Sequence, residues 1–63
     1  MNNLKLWREA KGLNQRQLAE MIHGYASEIS NIENGHRKAW PKIIENLSKA
    51  LDVDEKELFP EGW

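Results

Sequence analysis

The sequence predicts an all-α domain, a compact bundle of five short helices. Three observations predict it. Apolar residues recur at helical spacing along the whole chain, and no stretch alternates with period two. Glycine and proline cut the chain at short intervals. Two segments, "LNQRQL" and "VDEKEL", share one helix-start design, with a capping residue, a side chain three positions on that reaches back, and flanking apolar residues.

The first helix is expected from about Asn3 to Lys11, with Leu4 and Trp7 on one face. Gly12 suits the left-handed position that ends it. The second is expected over Gln15 to Ile22. Asn14 caps it, Gln17 reaches back, Leu13 and Leu18 form a hydrophobic staple, and Leu18, Ala19 and Ile22 point inward. "HGY" breaks it. The third covers Ala26 to Glu33, with Ile29 and Ile32 inward, and Gly35 ends it.

Trp40-Pro41 marks the next boundary, because proline makes its predecessor extended and itself fits the first helical position. The fourth helix then runs to Leu51, with Ile44, Leu47 and Leu51 inward. The fifth is Glu55 to Phe59. Asp54 caps it, Glu57 reaches back, Val53 and Leu58 staple, and Pro60 and Gly62 end it. The expected core is Leu4, Trp7, Leu18, Ala19, Ile22, Ile29, Ile32, Ile44, Leu47, Leu51 and Leu58.

Composition narrows the class. A chain of 63 residues makes one domain and buries only about 60% of the surface that its unfolded form exposes. With no cysteine it has neither disulfide nor thiolate metal site, which fits a reducing compartment. The opening "MNNLKLWREA" holds no apolar run of signal-peptide length, and no segment is long enough to span a bilayer. A soluble, cytoplasmic protein is expected. Charge is unevenly spread: residues 1–51 carry eight Lys/Arg and five Asp/Glu, whereas residues 52–63 carry one Lys and five acids. A mildly basic body thus meets an acidic tail.

The second and third helices are joined by a turn of about three residues. Two short helices crossing that closely need a small residue where they meet, a permissive turn, and apolar anchors under the second. Ala19, His23-Gly24, and Ile29 with Ile32 supply these.

The series "GLNQRQLAEMI…EISNIENG", followed by "KALDVDEKELF", resembles the Cro and phage-repressor type of helix-turn-helix domain, the xenobiotic-response-element family of bacterial and phage regulators. The resemblance runs from about Leu4 to Phe59. It implies a lambda-repressor-like fold with a helix-turn-helix motif at about residues 14–34. It also implies a double-stranded DNA partner, the third helix in the major groove, and no cofactor, metal or small-molecule ligand. Repression by operator occupancy is the expected activity. A protein-interaction or antitoxin-type module on the same fold is the alternative.

The resemblance implies that Asn34 and Gln15 bond DNA phosphates and that the loop after Gly35 follows the DNA backbone. Arg37 and Lys38 carry charges that meet phosphate without reading sequence; otherwise they decorate a solvated turn. His36 joins them where phosphate favours its protonation. Asn14 and Arg16 lie at the start of the second helix, where exposed backbone amides favour an anion; Asn14 is a cap in either case. The base-reading candidates on the outward side of the third helix are Ala26, Ser27, Glu28, Ser30 and Asn31. Asn pairs with adenine, Glu accepts from cytosine, Ser bonds either class, and Ala touches a thymine methyl. Glu28 is equally readable as a solvent-facing carboxylate. The resemblance also implies a structural ion pair between Arg8 and Glu33.

The chain departs from the family pattern at the turn. His23 stands where glycine is usual, Gly24 where an apolar plug is usual, and Tyr25 where a small cap is usual. Tyr25 is left either to fill the plug or to point at a phosphate. Asp52 likewise replaces a common glycine. His and Asp both tolerate a left-handed backbone better than most residues.

No glycine-rich phosphate loop, triad pattern or metal-ligand cluster is visible, so no enzymatic activity is expected. One recognition helix reads few base pairs, and a homodimer on a palindromic operator is therefore expected. Val53, Phe59 and Trp63 are the candidate dimer contacts; the competing reading folds Phe59 and Trp63 onto their own core.

Overall fold

A computed structural model describes residues 2–61 of the chain. The described residues form five helices: α1 (Leu4–Ala10), α2 (Gln15–Met21), α3 (Ala26–Glu33), α4 (Pro41–Leu51) and α5 (Glu55–Leu58). The order and count match the expectation, and the ends of α1, α2 and α5 retract by a residue or so.

Local chemistry explains most of these boundaries. Asn14 Oδ1 accepts from the Gln17 backbone N–H at 2.7 Å, and Gln17 Oε1 accepts from the Asn14 N–H at 2.8 Å. Both halves of a capping box are therefore present at the start of α2. Pro41 opens α4 behind an extended Trp40 (φ −100°, ψ 160°). The start of α5 differs from the expectation. Asp54 Oδ1 accepts from the Lys56 N–H at 2.9 Å, and no return bond from the Glu57 side chain forms among the described residues. A single turn offers few orphan donors, and the cap takes the nearest.

Four helices end by one device. Gly12, His23, Gly35 and Asp52 all have φ between 55° and 75°. In each case the next residue's N–H returns to the carbonyl five positions back: Leu13 to Arg8 (3.1 Å), Gly24 to Ala19 (2.9 Å), His36 to Asn31 (2.9 Å) and Val53 to Ser48 (3.1 Å). This closes the orphan carbonyls of a helix end. His23 and Asp52 thus occupy the left-handed positions that glycine takes at the other two.

The core consists of Leu4, Leu18, Ala19, Ile29, Ile32, Ala39, Ile43, Leu47, Leu51, Leu58 and Phe59. Three differences from the expected set matter. Ile43, at 4% exposure, is the inward residue of α4, and Ile44 packs at the rim. The inward stripe is 43, 47, 51, with spacing i, i+4, i+8, whereas 44, 47, 51 has the equally helical spacing i, i+3, i+7. Trp7 and Ile22 are half-buried against the core rather than within it. Phe59, expected at a dimer contact, is 4% exposed and belongs to its own core. It follows Leu58 directly at the end of a one-turn helix, and the extended step (φ −130°, ψ 71°) lets both side chains turn inward. Trp63 lies outside the described residues, as does Gly62.

The two ends of the described chain meet. The Asn3 N–H donates to the Leu58 carbonyl at 2.8 Å, and Asn3 Nδ2 donates to the Glu57 carbonyl at 3.1 Å. Asn2 Nδ2 donates to the Ile32 carbonyl at 2.9 Å, tying the segment before α1 to the last turn of α3. No helix of the described residues is long and apolar enough to cross a membrane.

Candidate nucleic-acid interface

α3 is anchored from below at its C-terminal end. Arg8 Nε donates to Glu33 Oε2 at 2.6 Å and Arg8 Nη2 to Glu33 Oε1 at 3.3 Å, while Arg8 Nη1 caps the Leu13 carbonyl at 2.8 Å. The two side chains are 8% and 2% exposed. Gln15 Nε2 adds a fourth bond, to Glu33 Oε1 at 3.1 Å. The fork geometry of guanidinium suits both carboxylate oxygens at once. The hydrogen bond to Glu33 raises the Arg8 pKa further, against the opposing effect of burial. One polar knot therefore locks α1, the start of α2 and the end of α3.

This knot changes the position of Gln15. Its amide nitrogen is committed to Glu33, which leaves its second N–H for any anion outside. Nothing in the sequence read alone distinguishes such an inward amide from an outward one.

The outward side of α3 is narrower than expected. Ser27 and Asn31 are exposed. Ala26 is half-buried and packs against the core, so it offers less of its surface than Ser27 or Asn31. In the first turn it stands three residues before Ile29, on the side of the helix that faces the core. Ser30 is half-buried, and its hydroxyl accepts from Asn34 Nδ2 at 3.3 Å.

Glu28 is engaged twice. Its Oε1 accepts from the Tyr25 N–H at 3.2 Å, which completes the start of α3, and its Oε2 lies 3.9 Å from Arg37 Nη1. Arg37 in turn stacks over the Trp40 ring, with its Cζ 4.5 Å from the centroid. Trp40 was not among the candidate site residues. An aromatic ring before a proline and two residues past the basic run is the signal that could have found it.

Around this face lie the remaining candidates. Asn14 and Arg16 are exposed at the start of α2. His36, Arg37 and Lys38 are exposed in the loop after α3, whose path is set by the His36 and Arg37 N–H groups, both donating to the Asn31 carbonyl at 2.9 and 3.3 Å. Asn34 is exposed at the end of α3. Tyr25 is 75% exposed, so it does not fill the gap left by Gly24. Glu28 and Ile22 crowd it instead: a Cβ at residue 24 would sit 3.2 Å from Glu28 Oε1 and 3.4 Å from Ile22 Cδ1. Val53 is half-buried against the core. Among the described residues no cluster of three or more His, Cys, Asp or Glu side chains is arranged to hold a metal ion.

Comparisons with known proteins agree with this architecture. A family model described as helix-turn-helix matches residues 4–58. The chain is 38% identical over 56 residues to a protein named competence pilus inhibition repressor from Acinetobacter baylyi. The match covers 89% of this chain and 51% of that protein, so the chain spans about half the length of the curated relative it matches. With 4–58 matched by the family model and the α2–α3 unit in place, the chain belongs to the helix-turn-helix family of the Cro and phage-repressor type.

Proposed function

We propose that this chain is a sequence-specific double-stranded DNA-binding regulator that represses transcription by occupying an operator. One observation carries the reading. The exposed polar side of α3, Ser27 and Asn31, continues without a break into the cationic loop of His36, Arg37 and Lys38. Such a surface meets a groove and the phosphates that flank it. Ser27 and Asn31 read base edges. Asn34, His36 and Lys38 on one side, and Asn14, Gln15 and Arg16 on the other, meet the backbone. Tyr25, exposed at the turn, adds a hydroxyl on the same side. A non-enzymatic role follows from the same arrangement, and the repressor name of the Acinetobacter baylyi relative supports it.

The working unit on DNA is a homodimer on a palindromic operator, because a single eight-residue recognition helix covers too few base pairs to be selective. With Phe59 largely withdrawn into the core, the pairing surface is the rim around Val53 and the shallow hollow lined by Ile44, Glu55, Lys56 and Phe59. The nearby acids Asp52, Asp54, Glu55 and Glu57 repel their own copies, so pairing is completed on the duplex.

Selection of bound sequences from a random duplex pool, followed by binding across a salt series, tests this. Steeply salt-dependent binding to a palindromic consensus, with two protomers per duplex by analytical ultracentrifugation, is expected. Absence of binding even at low salt would sink the DNA reading in favour of a protein-interaction module.

A further inference from the structure

Arg37 stands in the basic loop, where a plain phosphate contact needs only charge and reach. Its surroundings do more than that. Its backbone N–H is bound to the Asn31 carbonyl, one turn up the exposed side of α3. From there the side chain runs back along the helix to Glu28, in the first turn. The guanidinium is thereby carried to the N-terminal end of α3, the part of a recognition helix that meets base edges.

Two groups fix its orientation there. Glu28 lies 3.9 Å from Nη1, and Glu28 is itself pinned through its other oxygen to the Tyr25 N–H. The Trp40 ring supports the guanidinium plane at 4.5 Å. That ring is half-buried against the core, and its extended backbone precedes Pro41 at the start of α4. At 3.9 Å the Glu28 contact is one of charge and not a hydrogen bond, so the guanidinium donors keep their directions without being consumed. Among the described residues no hydrogen bond from the Arg37 guanidinium is formed. The side chain remains 55% exposed.

A planar, oriented guanidinium with unspent donors, beside the first turn of α3, matches the two acceptors of a guanine, O6 and N7. We propose that Arg37 is a base-reading residue selecting guanine in the major groove, and that Glu28 and Trp40 are positioning residues that aim it. On this assignment Glu28 serves to aim Arg37 and not to read cytosine. This rests on the DNA-binding reading above.

The test uses the whole chain and the consensus selected by it. Binding of the wild type, Arg37→Lys and Glu28→Gln is measured on the consensus, on its single base-pair variants and on an unrelated duplex. Lysine keeps the charge and loses the fork; glutamine keeps an oxygen for the Tyr25 N–H and loses the charge that faces Arg37. Arg37→Lys is expected to lose about 5- to 150-fold of discrimination at one G·C pair, with affinity for the unrelated duplex nearly unchanged. Glu28→Gln is expected to relax the same base pair and no other. A selective wild type whose preferences survive both changes at every position overturns this inference alone and returns Arg37 to the phosphates. A wild type that binds no duplex at low salt overturns the DNA reading, and this inference with it.

Discussion

α3 carries two glutamates, each facing an arginine, and the two pairs have little else in common. Glu33 and Arg8 are nearly sealed from water, joined at 2.6 Å, and bonded further to Leu13 and Gln15. Glu28 and Arg37 stand at the surface, 3.9 Å apart, with an indole under the cation. In the first pair the arginine's donors are largely spent on holding three helices together. In the second the donors are aimed and unspent. One chemistry, five residues apart on one helix, is thus architecture in the first case and a poised contact in the second. Burial makes the difference: it removes the competing water that weakens exposed pairs, and it makes each unpaired group costly.

Removing one partner separates the two most sharply. Arg8→Ala leaves the Glu33 carboxylate buried with only Gln15 to satisfy it, and is expected to cost about 3–5 kcal/mol. For a domain of this size that lowers the melting temperature by well over ten degrees, roughly 4–8 °C per kcal/mol. Arg37→Ala is expected to change stability by no more than about 1 kcal/mol. Thermal melts of the two variants beside Lys49→Ala check this. Equal losses for Arg8→Ala and Lys49→Ala would refute the structural role of the buried pair.

Salt sharpens the contrast. The loss caused by Arg8→Ala is expected to persist in about 1 M salt, where the Debye length is about 3 Å, because buried charges are little screened. Any loss caused by Arg37→Ala is expected to vanish there. The Arg8 pKa is raised in the fold, so its contribution is complete below the unfolded value and is lost only as pH rises through the folded one. Both lie far above neutrality. The Arg8→Ala deficit is therefore expected to stay constant between about pH 7 and about pH 9 in chemical denaturation.

The smallest effect belongs to a third kind of pair, wholly on the surface. Glu45 accepts from Lys49 Nζ at 3.1 Å, one helical turn away, and faces Lys42 at 3.7 Å. The hydrogen bond from Lys49, then the charges of Lys42 and Lys49, hold its pKa below the usual carboxylate range. A depressed carboxylate contributes stability above its unfolded pKa and loses it as pH falls through the folded one. Glu45→Gln is expected to melt slightly below the wild type at neutral pH and together with it in acid. A difference that persists in acid would mean that helix propensity, not charge, caused it.

The sequence by itself determined, to within a residue or so, where the helices begin and end. Asn14 with Gln17, Pro41, and the left-handed Gly12, His23, Gly35 and Asp52 act on backbone groups within five residues of themselves. Such signals are complete within a short window of chain, so they can be read without the fold. The Arg8–Glu33 pairing came from likeness to a family and not from local chemistry. Only the tertiary structure decided which way each helix is turned about its axis and which distant side chains therefore meet. Ile43 and Ile44 fit helical spacing equally well, and the packing of α4 chose Ile43. Phe59 had an interface and a core open to it, and the core took it. Gln15 turned in to Glu33, 18 residues away, and Arg37 settled between Glu28 and Trp40. A helix's pattern names its possible faces, but a rotation of one residue, about 100°, moves a side chain from surface to core, and only the neighbouring helices fix that angle.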